Sequence, residues 1–273
     1  MKTMYGEVES VERISQGMIR IILGGGELNG FVPAPFADQY INAYFIPKGA
    51  PYEAPFDLEQ LKEVKSGFQP RARRFTIRKW DEKSKLMTID FFTHGDQGHA
   101  GVWAQNAKPG DRLQFKGPNG SYSPDSTADW HLLAGDESAI PAISASIEAM
   151  HSSKICIAFM VVDSPEQEIS LQSDAKLKLT WLHRSKATEP EAVLLEAIKG
   201  FTFPSGKYDA FIHGEAAEVR EIRKHLIRDR GVDKSASSIS PYWRRDHTDE
   251  EWRSVKKQWL EDQRKEDEAS LPK

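Results

Sequence analysis

Four arginines, Arg71, Arg73, Arg74 and Arg78, crowd into the stretch "RARRFTIR" (71–78) of a chain whose formal net charge is −4. Phe75, Thr76 and Ile77 among them favour a pleated strand. On such a strand Arg73 and Phe75 alternate onto one face, with Arg78 a candidate for the same face. An arginine beside an aromatic ring clamps a phosphate and stacks a flat ring at once, and Thr76 adds a hydroxyl. An edge strand kept soluble by arginine has the same composition, so the charge pattern alone leaves both readings open.

The stretch "FFTHGDQGHAGVWAQNAKPGD" (91–111) adds a second chemistry. Gly95, Gly98 and Gly101 let backbone N–H groups approach a ligand. A helix beginning near His99 to Val102 would aim its positive end at a phosphate. Further on, "AGDES" (134–138) ends a strand and opens a helix, the place where open sheets bind ligands. It is not G-x-G-x-x-G, and Asp136 and Glu137 would repel a pyrophosphate set directly on that helix. Acids that stabilise a helix N-terminus are the structural alternative. Arg184 closes "KLKLTWLHR" and suits either a ribose 2′-phosphate or an exposed strand end.

These residues need elements to hold them. Up to about residue 120 the chain reads as short strands broken by Gly and Pro, with "DEKSK" as a hairpin turn and "DLEQLKEVKSG" as a possible short helix. Regular strands without long helices predict a small antiparallel barrel, residues 1–123. After the polar connector "SYSPDSTAD" strands and helices alternate, which predicts a parallel α/β domain over 128–231. Residues 232–273 read as an extension: a loop, the aromatic and basic "PYWRRD", then an amphipathic helix. Thr248 and Glu251 are spaced as a capping box. Trp252, Val255 and Trp259 share one face of that helix, and "EDQRKEDEASLPK" is expected to fray.

At 273 residues, 39% hydrophobic and 29% charged, the chain is long enough for two globular domains. It shows no apolar h-region at its start and no run fit to cross a membrane. The single cysteine, Cys156, sits in an apolar strand and is expected to pack. A reducing cytoplasm is the expected location, and the modest net charge argues against nucleic acid as a partner.

Taken together the motifs resemble the siderophore-interacting proteins, or ferric-siderophore reductases, of the ferredoxin–NADP reductase superfamily. "RRFTIR" resembles the R-x-Y-T-x-R flavin motif, and "HGDQGHAGVWAQNAKPGD" the H-G-x-x-G-P-A-x-x-W-A segment with its P-G-D turn. "HLLAGDESAIPAI" is similar to L-L-A-G-D-E-T-A-L-P-A-I, and "FIHGEA" and "YWRR" resemble the G-E-A and G-Y-W-R signatures. Phe75 stands for the usual Tyr, His99 for Pro, Ser138 for Thr, Pro241 for Gly, and Asn42 for a frequent Lys.

The resemblance implies FAD on the barrel and NAD(P)H on the α/β domain. Arg73 would contact the FAD pyrophosphate, Phe75 would lie against the flavin, and Thr76 would lie near its N5. Arg78, His94, Gly95, Gly98, Ala100 and Trp103 complete the implied cofactor set. Thr76, Asp136 and Glu137 would border the reacting rings. A hydride from NADH or NADPH would reduce the flavin, which would pass electrons singly to siderophore-bound Fe(III); a ferredoxin is an alternative donor. Fe(II) is held far less tightly by hard anionic oxygens, so reduction releases it. A bulky anionic ferric siderophore calls for an open basic patch, with Lys48, Arg244, Arg245, Arg253, Lys256 and Lys257 as candidates. A solvated helix flank explains the last three equally well. A monomer without a metal site of its own is expected. The competing readings are a related flavin reductase with another acceptor, a non-enzymatic ferric-siderophore binding protein, and a nucleic-acid-binding barrel.

Overall fold

The structure, a computed structural model, describes residues 2–93, 98–232 and 237–269. The chain divides into two units, Met1–Ser123 and Pro124–Lys273. The first holds β1 (Met4–Arg13), β2 (Met18–Gly24), β3 (Tyr40–Phe45), β4 (Arg71–Thr76), β5 (Lys79–Asp81), β6 (Leu86–Phe92), α1 (Ala100–Asn106) and β7 (Arg112–Asn119). Its strands form one antiparallel sheet in the order β4-β3-β7-β1-β2-β6-β5. The strands at the two ends of that order, β4 and β5, are consecutive in the chain, with only Ile77 and Arg78 between them. A sheet joined so tightly at its ends must curl onto itself, which makes the unit a barrel. Across the seam Arg78 N donates to Thr88 O at 2.9 Å, and the Phe75 ring lies 4.4 Å from that of Phe91.

Period-two alternation fills the barrel: Ile21 and Leu23, Ile41 and Phe45, Met87, Ile89 and Phe91, and Leu113 and Phe115 all point inward and are buried. The β5–β6 turn is an Asx turn in which the Asp81 carboxylate accepts from the N–H groups of Lys83 and Ser84 at 2.9 and 3.3 Å. The stretch expected as a short helix forms only two 3-10 turns, Gln60–Glu63 and Ser66–Phe68. Tertiary contacts hold the preceding chain instead: the Gln114 amide clasps both backbone groups of Phe56, each at 2.7 Å.

The second unit holds β8 (Trp130–Gly135), α2 (Ile140–Glu148), β9 (Ile155–Val162), β10 (Lys176–His183), α3 (Val193–Gly200), β11 (Tyr208–Glu215), α4 (Ala216–Asp229), β12 (Ser238–Trp243) and α5 (Asp249–Ala269). Its sheet is wholly parallel, in the order β10-β9-β8-β11-β12. β8 is buried along its whole length, as a central parallel strand must be. Cys156 is buried in β9, where burial pushes its thiol up to about 12. Among the described residues no helix is long and apolar enough to cross a membrane.

The C-terminal region differs from the sequence expectation in two ways. Ser238–Ser240, expected as loop, and the first half of "PYWRRD" form the fifth strand of the sheet, because β11 offers a free parallel edge. The helix also runs on to Ala269 rather than fraying after residue 260. Gln263 is buried on its inner face, and Glu266 pairs with Arg220 of α4. The capping box at its start is formed reciprocally: Glu251 Oε2 accepts from Thr248 N at 2.7 Å, and Thr248 Oγ1 from Glu251 N at 3.3 Å. Trp252 and Trp259 pack together, 5.6 Å between centroids, while Val255 faces outward at 38% exposure. Trp252, at 2%, is the anchor. Trp252→Ala is therefore expected to destabilise the second unit by about 3 kcal/mol, and Val255→Ala by less than about 0.5 kcal/mol. Urea denaturation midpoints of the two variants check this order.

Candidate functional site

The arginine strand is divided between two tasks. The register pairs Arg73 with Ala43 and Phe75 with Ile41, so both side chains start on the core-facing side of the edge strand. Arg74 and Thr76 alternate to the other side, and the Arg74 guanidinium sits over the Tyr40 ring at 5.5 Å. Phe75 is only partly buried. It rests on Phe91 and Phe45, 4.4 and 5.8 Å away, which leaves part of its ring open. Arg73 is half-buried and gives one N–H to the Ala72 carbonyl at 2.9 Å. Arg78 is placed differently from the sequence expectation. The strand ends at Thr76, the buried Ile77 turns the chain, and Arg78 folds inward to 7% exposure. Its Nε lies 3.8 Å from the Asp90 carboxylate, which Arg20 grips from the other side at 2.7 and 2.8 Å. Asp90 is thus shared by two guanidiniums.

The start of α1 adjoins the aromatic cluster. Trp103 lies 5.7 Å from Phe45 and 5.6 Å from Phe91. Gly98 has φ +78° with open space where a Cβ would sit, and Ala100 begins the helix after His99. The first N–H groups of a helix have no acceptor within it. His94 and Gly95 lie outside the described residues. The partly open Phe75 ring, a guanidinium on the same strand and the first turn of a nearby helix are the groups a flavin dinucleotide needs. On these residues the site fits FAD.

In the second unit the carboxyl ends of β8, β9 and β11 gather acids, and that of β10 adds Arg184. Asp136, 1% exposed, accepts four hydrogen bonds: from Ser138 N and Oγ at 2.9 and 2.5 Å, from Glu215 N at 2.9 Å, and from Trp243 Nε1 at 2.7 Å. It ties three loops together. Gly214 makes room for it: φ is +149°, and a Cβ there would stand 2.7 Å from Asp136 Oδ2. Glu215 caps α4 through Ala217 N and Glu218 N at 2.7 and 3.1 Å. Glu137, 5% exposed, pairs in a fork with Arg184 at 2.5 and 3.0 Å, and Arg184 also meets Asp163 at 3.0 Å. Burial raises the Glu137 carboxyl against the pull of Arg184. Asp136 and Glu137 are thus committed to partners within the unit, which gives both a positioning part. The parts of Gly214, Glu215 and Trp243 were signalled only by their short motifs. Asp163 carried no sequence signal.

Of the expected substrate-binding residues, Lys48 is exposed just after β3 in the first unit and the other five belong to the second. Arg245 pairs with Glu191, and Arg253 with Asp249 at 3.0 Å. Lys256 donates to the Pro241 carbonyl at 2.6 Å. Arg244 is half-buried and Lys257 exposed. Among the described residues Lys48, Arg244 and Lys257 have no ion pair within the chain. No group of His, Cys, Asp and Glu among the described residues could hold a metal.

Two predictions test the acidic strand ends. Gly214→Ala forces a Cβ onto the Asp136 carboxylate and a side chain onto a φ that favours glycine. It should cost about 2 kcal/mol or more in chemical denaturation. Burial first, and repulsion by Asp136 second, push Glu218 up from 4.5 to about 7. Its contribution to stability is therefore whole below the unfolded value and is lost as pH rises from 4.5 through about 7. Melting temperatures across that window should show Glu218→Gln gaining on the parent protein as pH rises; a constant difference would contradict the assignment.

Comparison with known proteins bears on both units. Residues 7–122 match the siderophore-interacting FAD-binding domain and residues 128–246 the siderophore-interacting protein family model. Ferric vibriobactin reductase ViuB of Vibrio cholerae is 31% identical, over 87% of this chain and 88% of its own. The NADPH-dependent ferric-chelate reductase of Escherichia coli is 29% identical, over 85% and 89%. The crystal structure of a siderophore utilization protein from T. fusca superposes with a TM-score of 0.76 at 34% identity, over 90% of this chain and 94% of that one. The barrel is the family's FAD-binding domain, and with both units matched the chain belongs to the siderophore-interacting protein family.

Proposed function

We propose that this protein is an FAD-dependent reductase of ferric siderophores that draws its electrons from a reduced nicotinamide dinucleotide and frees the iron as Fe(II). The observation that carries the reading is the Phe75 ring seated on Phe91, with Arg73 on the same strand, inside a barrel that matches the family's FAD-binding domain. The names of the Vibrio cholerae and Escherichia coli relatives support the reaction class.

Bound FAD would supply the exchange between a two-electron hydride donor and a one-electron iron acceptor. The chain's own residues do the rest. Arg73 neutralises the diphosphate, and its fixed charge makes short, strong hydrogen bonds to phosphate oxygens. Phe75 provides a flat apolar seat without a phenolic hydroxyl. Thr76 follows Phe75 at the end of β4, with its hydroxyl on the other side of the strand. Trp103 fixes the start of α1 against the aromatic cluster, so that its N–H groups face the phosphates. Asp136 and Glu137 shape the strand ends over which a nicotinamide dinucleotide would lie. Arg244 and Lys257 on the second unit, and separately Lys48 on the first, are basic side chains without an ion pair among the described residues, each a candidate contact for an anionic ferric chelate.

The test begins with colour. The purified protein should show a two-band flavin spectrum, release FAD on heating, bleach anaerobically with NADH or NADPH, and recover its colour when a ferric siderophore is added. A colourless protein that takes up no FAD would overturn the reading. Arg73→Leu should weaken FAD binding by about 2 kcal/mol, about thirtyfold in Kd, measured by titrating FAD into the stripped protein.

A further inference from the structure

Arg184 is the first residue after β10 and opens a 3-10 turn at the carboxyl end of that strand. In open parallel sheets a dinucleotide lies across the carboxyl ends of the strands. An acid there receives a ribose 2′-hydroxyl, whereas an arginine receives a 2′-phosphate. This arginine is already occupied. Glu137, from the loop after β8, takes two of its N–H groups in a fork, and Asp163, directly after β9, takes a third contact at 3.0 Å. Three adjacent strands thus contribute to one cluster, in which two carboxylates outweigh one guanidinium.

We propose that Glu137 and Asp163, by holding Arg184, make this chain select a nicotinamide dinucleotide without a 2′-phosphate, NADH over NADPH. The inference rests on the reading that a nicotinamide dinucleotide is the electron donor.

The physical argument is displacement. A 2′-phosphate could reach the guanidinium only by taking it from Glu137. That would leave a carboxylate of 5% exposure without its counter-charge, a strongly unfavourable state. Asp163, far more exposed, adds repulsion at the mouth of the same cluster. Burial opposes the Arg184 charge, but the Glu137 carboxylate holds that charge in place. Lys186, exposed in the same turn, is a single cation whose attraction solvent and salt weaken. A 2′-hydroxyl brings no charge and can donate to either acid.

The test uses the full flavin-loaded chain and two readouts. Calorimetric titration with NAD+ and NADP+ measures affinity, and stopped-flow bleaching of the flavin by NADH and NADPH measures use. NAD+ should bind about tenfold or more tightly than NADP+. Glu137→Gln and Asp163→Asn should each raise the affinity for NADP+ relative to that for NAD+ by about fivefold or more. Asp163 lies at the surface, so its variant decides the matter if Glu137→Gln fails to fold. NADP+ binding as tight as NAD+, or variants that leave the ratio unchanged, would overturn the inference while leaving the reductase intact. Failure of both dinucleotides to bind or bleach the flavin would instead overturn the donor assignment, and this inference with it.

Discussion

A carboxylate taken out of water must be given donors, and both units are built around that constraint. Four buried aspartates show it. Asp90 lies between Arg20 and Arg78 under the barrel wall. Asp38 accepts from Ser121 N and Tyr122 N, each at 2.9 Å, and so fixes the chain leaving β7. Asp209 meets His131 at 3.1 Å and the backbone N–H of Asp125 at 2.7 Å. Asp136 binds three loops of the second unit together. Removing any one of them takes an acceptor from the donors it orders, whereas removing a donor strands a charge. Such pairs contribute little net stability over well-packed apolar groups, but they permit only one arrangement of the loops they join.

That constraint explains why so many arginines sit around one strand. Arg78 faces inward toward Asp90, which Arg20 also grips, whereas Arg73 remains on the strand that carries the Phe75 ring. The aromatic cluster of Phe45, Phe75, Phe91 and Trp103 then brings β3, β4, β6 and α1 to one place. Its rings meet edge-on or tilted, at separations where the aromatic quadrupoles attract. Helix and arginine strand are therefore set in place by apolar contact.

Much of this could be read in the sequence, wherever the signal was local. Alternation gave the barrel strands, the "DEKSK" turn marked the β5–β6 hairpin, and Thr248 with Glu251 announced the start of α5. What failed was whatever depended on a distant partner. Arg78 and Arg73 are the same residue type five positions apart, and nothing nearby says that Asp90 will claim one of them. Glu137 and Arg184 are separated by 47 positions, so their pairing follows from the parallel order of β8, β9 and β10 and not from spacing. The strand Ser238–Trp243 mixes Ile239, Tyr242 and Trp243, which favour strands, with Pro241 and two serines, which do not. It is a strand because β11 presents an unpaired edge. The polar end of α5 looked too hydrophilic to pack, yet one buried glutamine and one pair with Arg220 hold it.

The edge strand also shows why the C-terminal helix is part of the second unit's chemistry and not an appendage. β12 is the last strand of its sheet and would expose a row of unpaired carbonyls. Pro241 has no N–H to offer and is tolerated at such an edge. The Pro241 carbonyl is taken by Lys256, whose position on α5 is fixed in turn by Trp252 in the turn before it. Two residues after Pro241 comes Trp243, whose indole N–H reaches Asp136. A chain of direct contacts therefore runs from the buried face of α5, through one edge carbonyl, to the carboxylate that orders the strand ends. The helix fixes the strand, and the strand delivers the indole.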